Sequence, residues 1–182
     1  RYTHTQDDIH RTYSLIAPGI FNSVSGTERS NEPPKMLVVA GSQGSGKTYL
    51  LENTLLKSDR YADYIRPYLL KYRAHHPQYA QMIEHGVLHA YEHTEAFIWD
   101  LGRRIFQDAL ENSYNIIIET ALDSIDFASL PMYAASKGYQ FEVHLIGCKR
   151  EFAHVSTIER ALTSIKDKKL ERFVTLSNID ES

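Results

Sequence analysis

Gly41-Ser42-Gln43-Gly44-Ser45-Gly46-Lys47-Thr48 matches every fixed position of the phosphate-loop pattern G-x-x-x-x-G-K-[ST]. Its flanks supply the context that the pattern requires. The apolar run 36–40 (MLVVA) reads as a buried strand, and residues 49–56 (YLLENTLL) read as a helix. Glycines in such a loop let backbone N–H groups turn inward around phosphate oxygens. The helix that follows adds the positive end of its dipole. In this arrangement Lys47 reaches the β- and γ-phosphates and the Thr48 hydroxyl ligates Mg²⁺. The stretch 41–48 therefore implies a nucleoside triphosphate site, with Gly41, Ser42, Gln43, Gly44, Ser45, Gly46, Lys47 and Thr48 as its cradle.

Outward from the loop, strand and helix patterns alternate. Residues 64–66 form a weak strand, with helical sequence from Leu69. Residues 90–112 carry apolar positions at helical spacing (Ala96, Phe97, Leu101, Ile105, Phe106, Leu110) and predict one long helix. Residues 114–119 (YNIIIE) read as a short buried strand, 124–136 as a helix, 141–147 as a third clear strand, 151–165 as a helix and 168–176 as a last one. This alternation predicts an α/β fold, a P-loop NTPase-like parallel sheet with helices on both faces. Ahead of it, Ile9, Tyr13, Leu15 and Ile16 suggest one helical face ended by Pro18-Gly19, followed by a loop over 22–34. The division expected is a helical and loop segment over 1–35 and the P-loop domain over 36–182.

A chain of 182 residues with 42% hydrophobic and 24% charged residues suits one soluble domain. The net charge of −3 gives no global signal for nucleic acid or an anionic membrane. No apolar run approaches the roughly 20 residues of a membrane span, and no signal-peptide pattern is visible. The single cysteine, Cys148, excludes an internal disulfide. These features fit the cytoplasm. The helical pattern stops abruptly at Ser182, which fits a longer native chain.

Glu119 is the second anchor. A carboxylate at the C-terminal end of a buried strand lies on the sheet edge where such folds bind ligands, and there it can serve the magnesium shell or a substrate hydroxyl. The plainer alternative is a capping acid at a strand exit. Arg160, in Thr157-Ile158-Glu159-Arg160, and Arg172 are cations of the kind that phosphoryl transfer recruits; by composition alone each is an ordinary surface arginine. His85, His89 and His93 recur at intervals of four beside Glu84 and Glu92. Without an H-E-x-x-H arrangement and with Gly86 among them, a polar helix face is favoured over a metal site. Six tyrosines between 61 and 91 read mainly as amphipathic helix-face residues.

Four stretches together resemble the zeta toxin family of P-loop kinases, the toxins of epsilon–zeta type toxin–antitoxin systems: 37–48, Ile116-Ile117-Ile118-Glu119-Thr120, Ala135-Ser136-Lys137-Gly138-Tyr139 and Thr157-Ile158-Glu159-Arg160. The resemblance covers roughly residues 36–165. It implies transfer of a γ-phosphoryl group from ATP or GTP, with Mg²⁺, to the 3′-hydroxyl of a UDP-N-acetylhexosamine such as UDP-N-acetylglucosamine. By it, Lys47 stabilises the transferred phosphate, Thr48 holds the metal, and Glu119 and Thr120 lie in the substrate region. Arg160 contacts nucleotide phosphates and Arg172 lies near a second such arginine. It also implies an antitoxin protein as partner.

One element departs from the family. Where members carry an acidic D-x-D or D-P-D, whose last Asp is the base, the ungapped register puts Arg66-Pro67-Tyr68. A neutral tyrosine, with an unperturbed pKa of roughly 10, is a poor base at pH 7. Asp63 or Glu119 is then the replacement to consider. Three readings follow: a slow kinase of zeta toxin type with Tyr68 in the substrate region, a kinase for another hydroxyl, and a nucleotide-binding pseudokinase.

Overall fold

The computed structural model describes residues 2–24, 32–121 and 129–167. Four strands form one parallel sheet: β1 (Lys35–Gly41), β2 (Tyr64–Ile65), β3 (Asn115–Thr120) and β4 (Gln140–Ile146), in the order β2-β3-β1-β4. Parallel neighbours need crossover helices, and these cover the two faces. On one face Met36, Val38, Ala40, Ile65, Ile116 and Ile118 pack with α1 (Gln6–Phe21) and α5 (Glu95–Glu111) through Ile9, Ile16, Ile20, Phe97, Leu101 and Ile105. On the other, Leu37, Val39 and Ile117 meet Leu51 of α2 (Lys47–Asn53) and the buried ring of Tyr61. The doubly covered parallel sheet agrees with the fold read from the alternation of the sequence.

The first helix differs from the expectation. It starts where Thr5 and Asp8 cap each other reciprocally (Asp8 N to Thr5 Oγ1, 3.2 Å; Thr5 N to Asp8 Oδ2, 2.9 Å). It then runs through Pro18 to Phe21, and Leu15 is 67% exposed. An interior proline costs about 3 kcal/mol, but burying Ile16 and Ile20 returns about 1.5–3 kcal/mol each, so the helix continues. The long helix expected over 90–112 is two: α4 (Val87–His93) and α5, divided at Thr94. Thr94 is fully buried; its hydroxyl donates to the Ala90 carbonyl (2.7 Å) and accepts from Arg73 (2.9 Å). Upstream, Gly86 (φ +108°) separates α4 from α3 (Tyr79–Glu84), so His85 is not on the helix that carries His89 and His93. The helix expected at 124–136 appears as α6 (Ser129–Ser136), its earlier part lying outside the described residues. The helix expected at 151–165 is α7 (Arg150–Lys166), and the one expected at 168–176 lies outside the described residues.

Strand β4 closes one edge of the sheet. Phe141, Val143 and Leu145 lie opposite Met36, Val38 and Ala40, hence on the face that carries α1 and α5, yet they remain 36%, 61% and 72% exposed. No described helix is long and apolar enough to cross a membrane.

Candidate functional site

All four strands point the same way, so the loop leaving β1 and the end of β3 share one edge. Register does the rest. Glu119 pairs with Val39 and so faces α2. Thr48, in the first turn of α2, reaches it: the Thr48 hydroxyl donates to Glu119 Oε2 at 2.9 Å. The two residues proposed for metal and substrate handling are thus joined. Thr120 follows, half-buried.

The phosphate loop is tight at its back. Gly44 (φ +77°) and Gly46 (φ +93°) hold backbone conformations that side chains rarely adopt. A Cβ on Gly44 would lie 2.4 Å from the Ala153 carbonyl oxygen and 2.7 Å from Thr157 Oγ1, so α7 rests directly on the loop. Lys47 is buried (6% exposed), and its ammonium donates to the carbonyls of Gly41 and Ser42, both at 2.6 Å. Ser45 is buried too, and its hydroxyl has no hydrogen-bond partner among the described residues. Such an orphan costs about 1–3 kcal/mol; in a phosphate loop it marks where a ligand oxygen would be welcome. Gln43 is also buried, Ser42 partly so, its hydroxyl 3.7 Å from the exposed Cys148 sulfur.

Arg66 is the site residue whose role the sequence did not disclose. Ile65 points into the α1–α5 core, so the next residue turns toward α2. There the Arg66 guanidinium donates to Glu119 Oε1 at 2.5 Å and to Glu52 Oε1 at 3.0 Å. Burial works against its charge, but the hydrogen bonds and negative charges of Glu119 and then Glu52 outweigh that and hold its pKa above the usual value. A basic residue directly after a short strand at the ligand-binding edge was the available signal. Tyr68 is 44% exposed, with the Arg66 guanidinium 6.0 Å from its ring centre.

Asp63 is not at this edge. It precedes β2, where Tyr64 pairs with Asn115 at the start of β3, and its carboxylate accepts from the Asn115 amide at 2.7 Å. Four residues of strand, about 13 Å, separate Asn115 from Glu119. Asp63 as a replacement base is therefore ruled out by strand register. Arg160 lies exposed on α7, beyond the buried Thr157 that touches the loop. Arg172 lies outside the described residues. The histidine rings meet at an angle, His85–His89 tilted with centres 5.1 Å apart and His89–His93 edge to face at 4.2 Å, and no group of three metal-ligating side chains is arranged around a common point among the described residues.

Comparison with known proteins meets this geometry. The zeta toxin family model matches residues 22–182. The chain belongs to the zeta toxin family. The toxin PezT of Streptococcus pneumoniae serotype 4 is 22% identical over 139 residues, 76% of this chain and 54% of that protein, so the chain spans about half the length of this curated relative. Among solved structures, a chain from the PezAT chromosomal toxin–antitoxin system of S. pneumoniae superposes with a TM-score of 0.78 at 18% identity, over 98% of this chain and 72% of that one. A chain of the Pnkp1/Rnl/Hen1 RNA repair complex superposes with a TM-score of 0.56 at 16% identity, over 85% and 44%. At these identities the two structures speak for the fold, and the family match speaks for the kinship.

Proposed function

We propose that this zeta toxin family member is an ATP- or GTP-dependent phosphotransferase acting on a hydroxyl of a small-molecule acceptor, and that the acceptor is a UDP-N-acetylhexosamine. The observation that carries the proposal is the Thr48–Glu119 hydrogen bond at the mouth of a loop that buries Lys47 and an orphan Ser45 hydroxyl. A cation, a hydroxyl and a carboxylate converge where a triphosphate would end.

In the proposed reaction Lys47 leaves the Gly41 and Ser42 carbonyls for the β- and γ-phosphates, and the Ser45 hydroxyl gains a phosphate oxygen. Thr48 and Glu119 offer the hard oxygen donors that magnesium takes, and the ion would supply charge neutralisation to the phosphates. The acceptor oxygen attacks the γ-phosphorus, the bond to the β–γ bridging oxygen breaks, and a nucleoside diphosphate leaves. The hydroxyl proton passes to solvent water, because Glu119, of the two replacement bases considered the one on this edge, is engaged by Arg66 and Thr48 and offers its oxygens to the metal. Arg160, and Arg172 beyond the described residues, would meet the charge that develops on the phosphoryl oxygens. Much of the acceleration in such reactions comes from positioning and charge, so loss of the family's acidic base costs rate, on the order of 10² to 10⁴, without removing the reaction. As a toxin of this kind the protein would pair with an antitoxin.

Arg66 favours one other reading. A guanidinium where the family's acids lie, already bonded to Glu119, suits a nucleotide-binding protein that does not transfer phosphate, or one with a different acceptor. Mass spectrometry of UDP-N-acetylglucosamine after incubation with protein, Mg²⁺ and ATP or GTP decides between them, with Lys47→Ala as control. A product heavier by one phosphoryl group, absent from the control, is the expected result. No product with nucleotide binding retained would defeat the proposed acceptor and move the assignment to the other reading.

A further inference from the structure

We propose that Arg66 is a built-in cation on the metal side of the site, which partly balances the nucleotide's phosphate charge and raises the Mg²⁺ concentration that the nucleotide complex needs. The proposal rests on the nucleotide-binding reading above.

The contacts form a chain. Glu52 accepts from Arg66 at 3.0 Å, Arg66 donates to Glu119 Oε1 at 2.5 Å, and Glu119 Oε2 accepts from Thr48 at 2.9 Å. Both oxygen-bearing residues suited to a divalent cation are therefore engaged, one directly by a fixed positive charge. The Arg66 side chain is 22% exposed, so solvent screens it only in part. A divalent cation arriving at Thr48 and Glu119 meets repulsion from the guanidinium and has to compete with it for the carboxylate. Even in the dielectric of bulk water, a single and a double positive charge held on the order of 6 Å apart repel by an amount that corresponds to about a tenfold change in affinity. The same guanidinium attracts the phosphates of a metal-free nucleotide. Removing it therefore changes two quantities in opposite senses, which a residue serving only to hold β2 in place would not do.

The test is a binding titration of a fluorescent, non-hydrolysable ATP or GTP analogue, first in EDTA and then with increasing Mg²⁺. The proteins are the wild type, Arg66→Gln, Arg66→Met and Arg66→Lys. Met keeps the apolar stem and guards against a folding defect in the Gln variant; either neutral variant suffices. In the neutral variants the expected result is weaker metal-free binding together with a half-saturating Mg²⁺ about tenfold lower than in the wild type. Arg66→Lys keeps the charge and should stay close to the wild type in both. An unchanged or higher half-saturating Mg²⁺ in a neutral variant that still binds nucleotide would overturn the proposal and leave the nucleotide site standing. No nucleotide binding by the wild type would overturn the nucleotide reading, and this proposal with it.

Discussion

The two ends of the sheet carry similar chemical groups and use them in opposite ways. At the starting end, the Asn115 side chain accepts from the Lys35 backbone N–H (2.7 Å) and donates to Asp63 (2.7 Å), while Gln140 N–H donates to the Pro34 carbonyl (2.8 Å). One amide side chain thus ties the entries of β1, β2 and β3. At the finishing end, Glu119 is shared between a hydroxyl and a guanidinium, Lys47 lies folded on loop carbonyls, and the Ser45 hydroxyl lacks a partner among the described residues. The first arrangement pairs its groups with one another and fixes register. The second retains charge and an unmet hydrogen-bonding group, the signature of a place meant for a ligand.

The sharpest way to break the contrast is at Lys47. Replacement by Ala should reduce phosphotransfer by about 10² to 10³ or more, the scale of losing one charge-stabilising donor at a transition state, in a variant that still melts as a folded protein. Single-turnover transfer from labelled ATP measures the first and a thermal melt the second; full activity in this variant would remove the basis for calling this end functional. The starting end should answer in reverse. Asn115→Ala leaves the Lys35 N–H and Asp63 without their shared partner and should lower stability by about 2 kcal/mol in a urea titration, with turnover per folded molecule unchanged.

A smaller effect should appear in neither end but in the helical layer. His76 is 3% exposed, its pKa is lowered chiefly by burial and then by the neighbouring His4, and its Nδ1 accepts from the Gln78 N–H at 3.0 Å. Because the folded state favours the neutral ring, the unfolded chain binds the proton first. Stability is then complete above the ordinary histidine value of about 6.5 and falls as the pH drops from there toward the lowered pKa. Thermal melts at pH 7 and 5.5 should show the decline, and His76→Asn, which keeps an acceptor for Gln78, should reduce it. The least effect is expected at Asp63. Asp63→Asn keeps an acceptor oxygen toward Asn115 and should change stability by at most about 0.5 kcal/mol, with turnover unaltered; a hundredfold loss of turnover would contradict its placement at the starting end.

Most of the finishing end was legible because it is local. A strand, a glycine loop and a helix follow one another between residues 36 and 56, and Glu119 closes an apolar run, so motif and periodicity suffice. What escaped was tertiary. Asp63 could be placed only once Tyr64 was paired with Asn115, since a two-residue strand has too little pattern to announce its direction or register. The grip of Arg66 on Glu119 needs β2 beside β3, a neighbour relation that no sequence spacing encodes. The passage of α1 through Pro18 and the division at Thr94 turned on burial energies and on a buried hydroxyl, both of which outweigh local propensity.

The seat of α7 on Gly44 has a practical consequence for anyone who diversifies this protein. The motif leaves position 44 open to any amino acid, and a combinatorial library designed from the motif would randomise it. Here the loop's positive φ and the Ala153 carbonyl 2.4 Å from a would-be Cβ reserve that position for glycine. About nineteen of every twenty such clones would be lost to collision with the helix behind the loop, and a screen scored on activity alone would misread them as defects in phosphate binding.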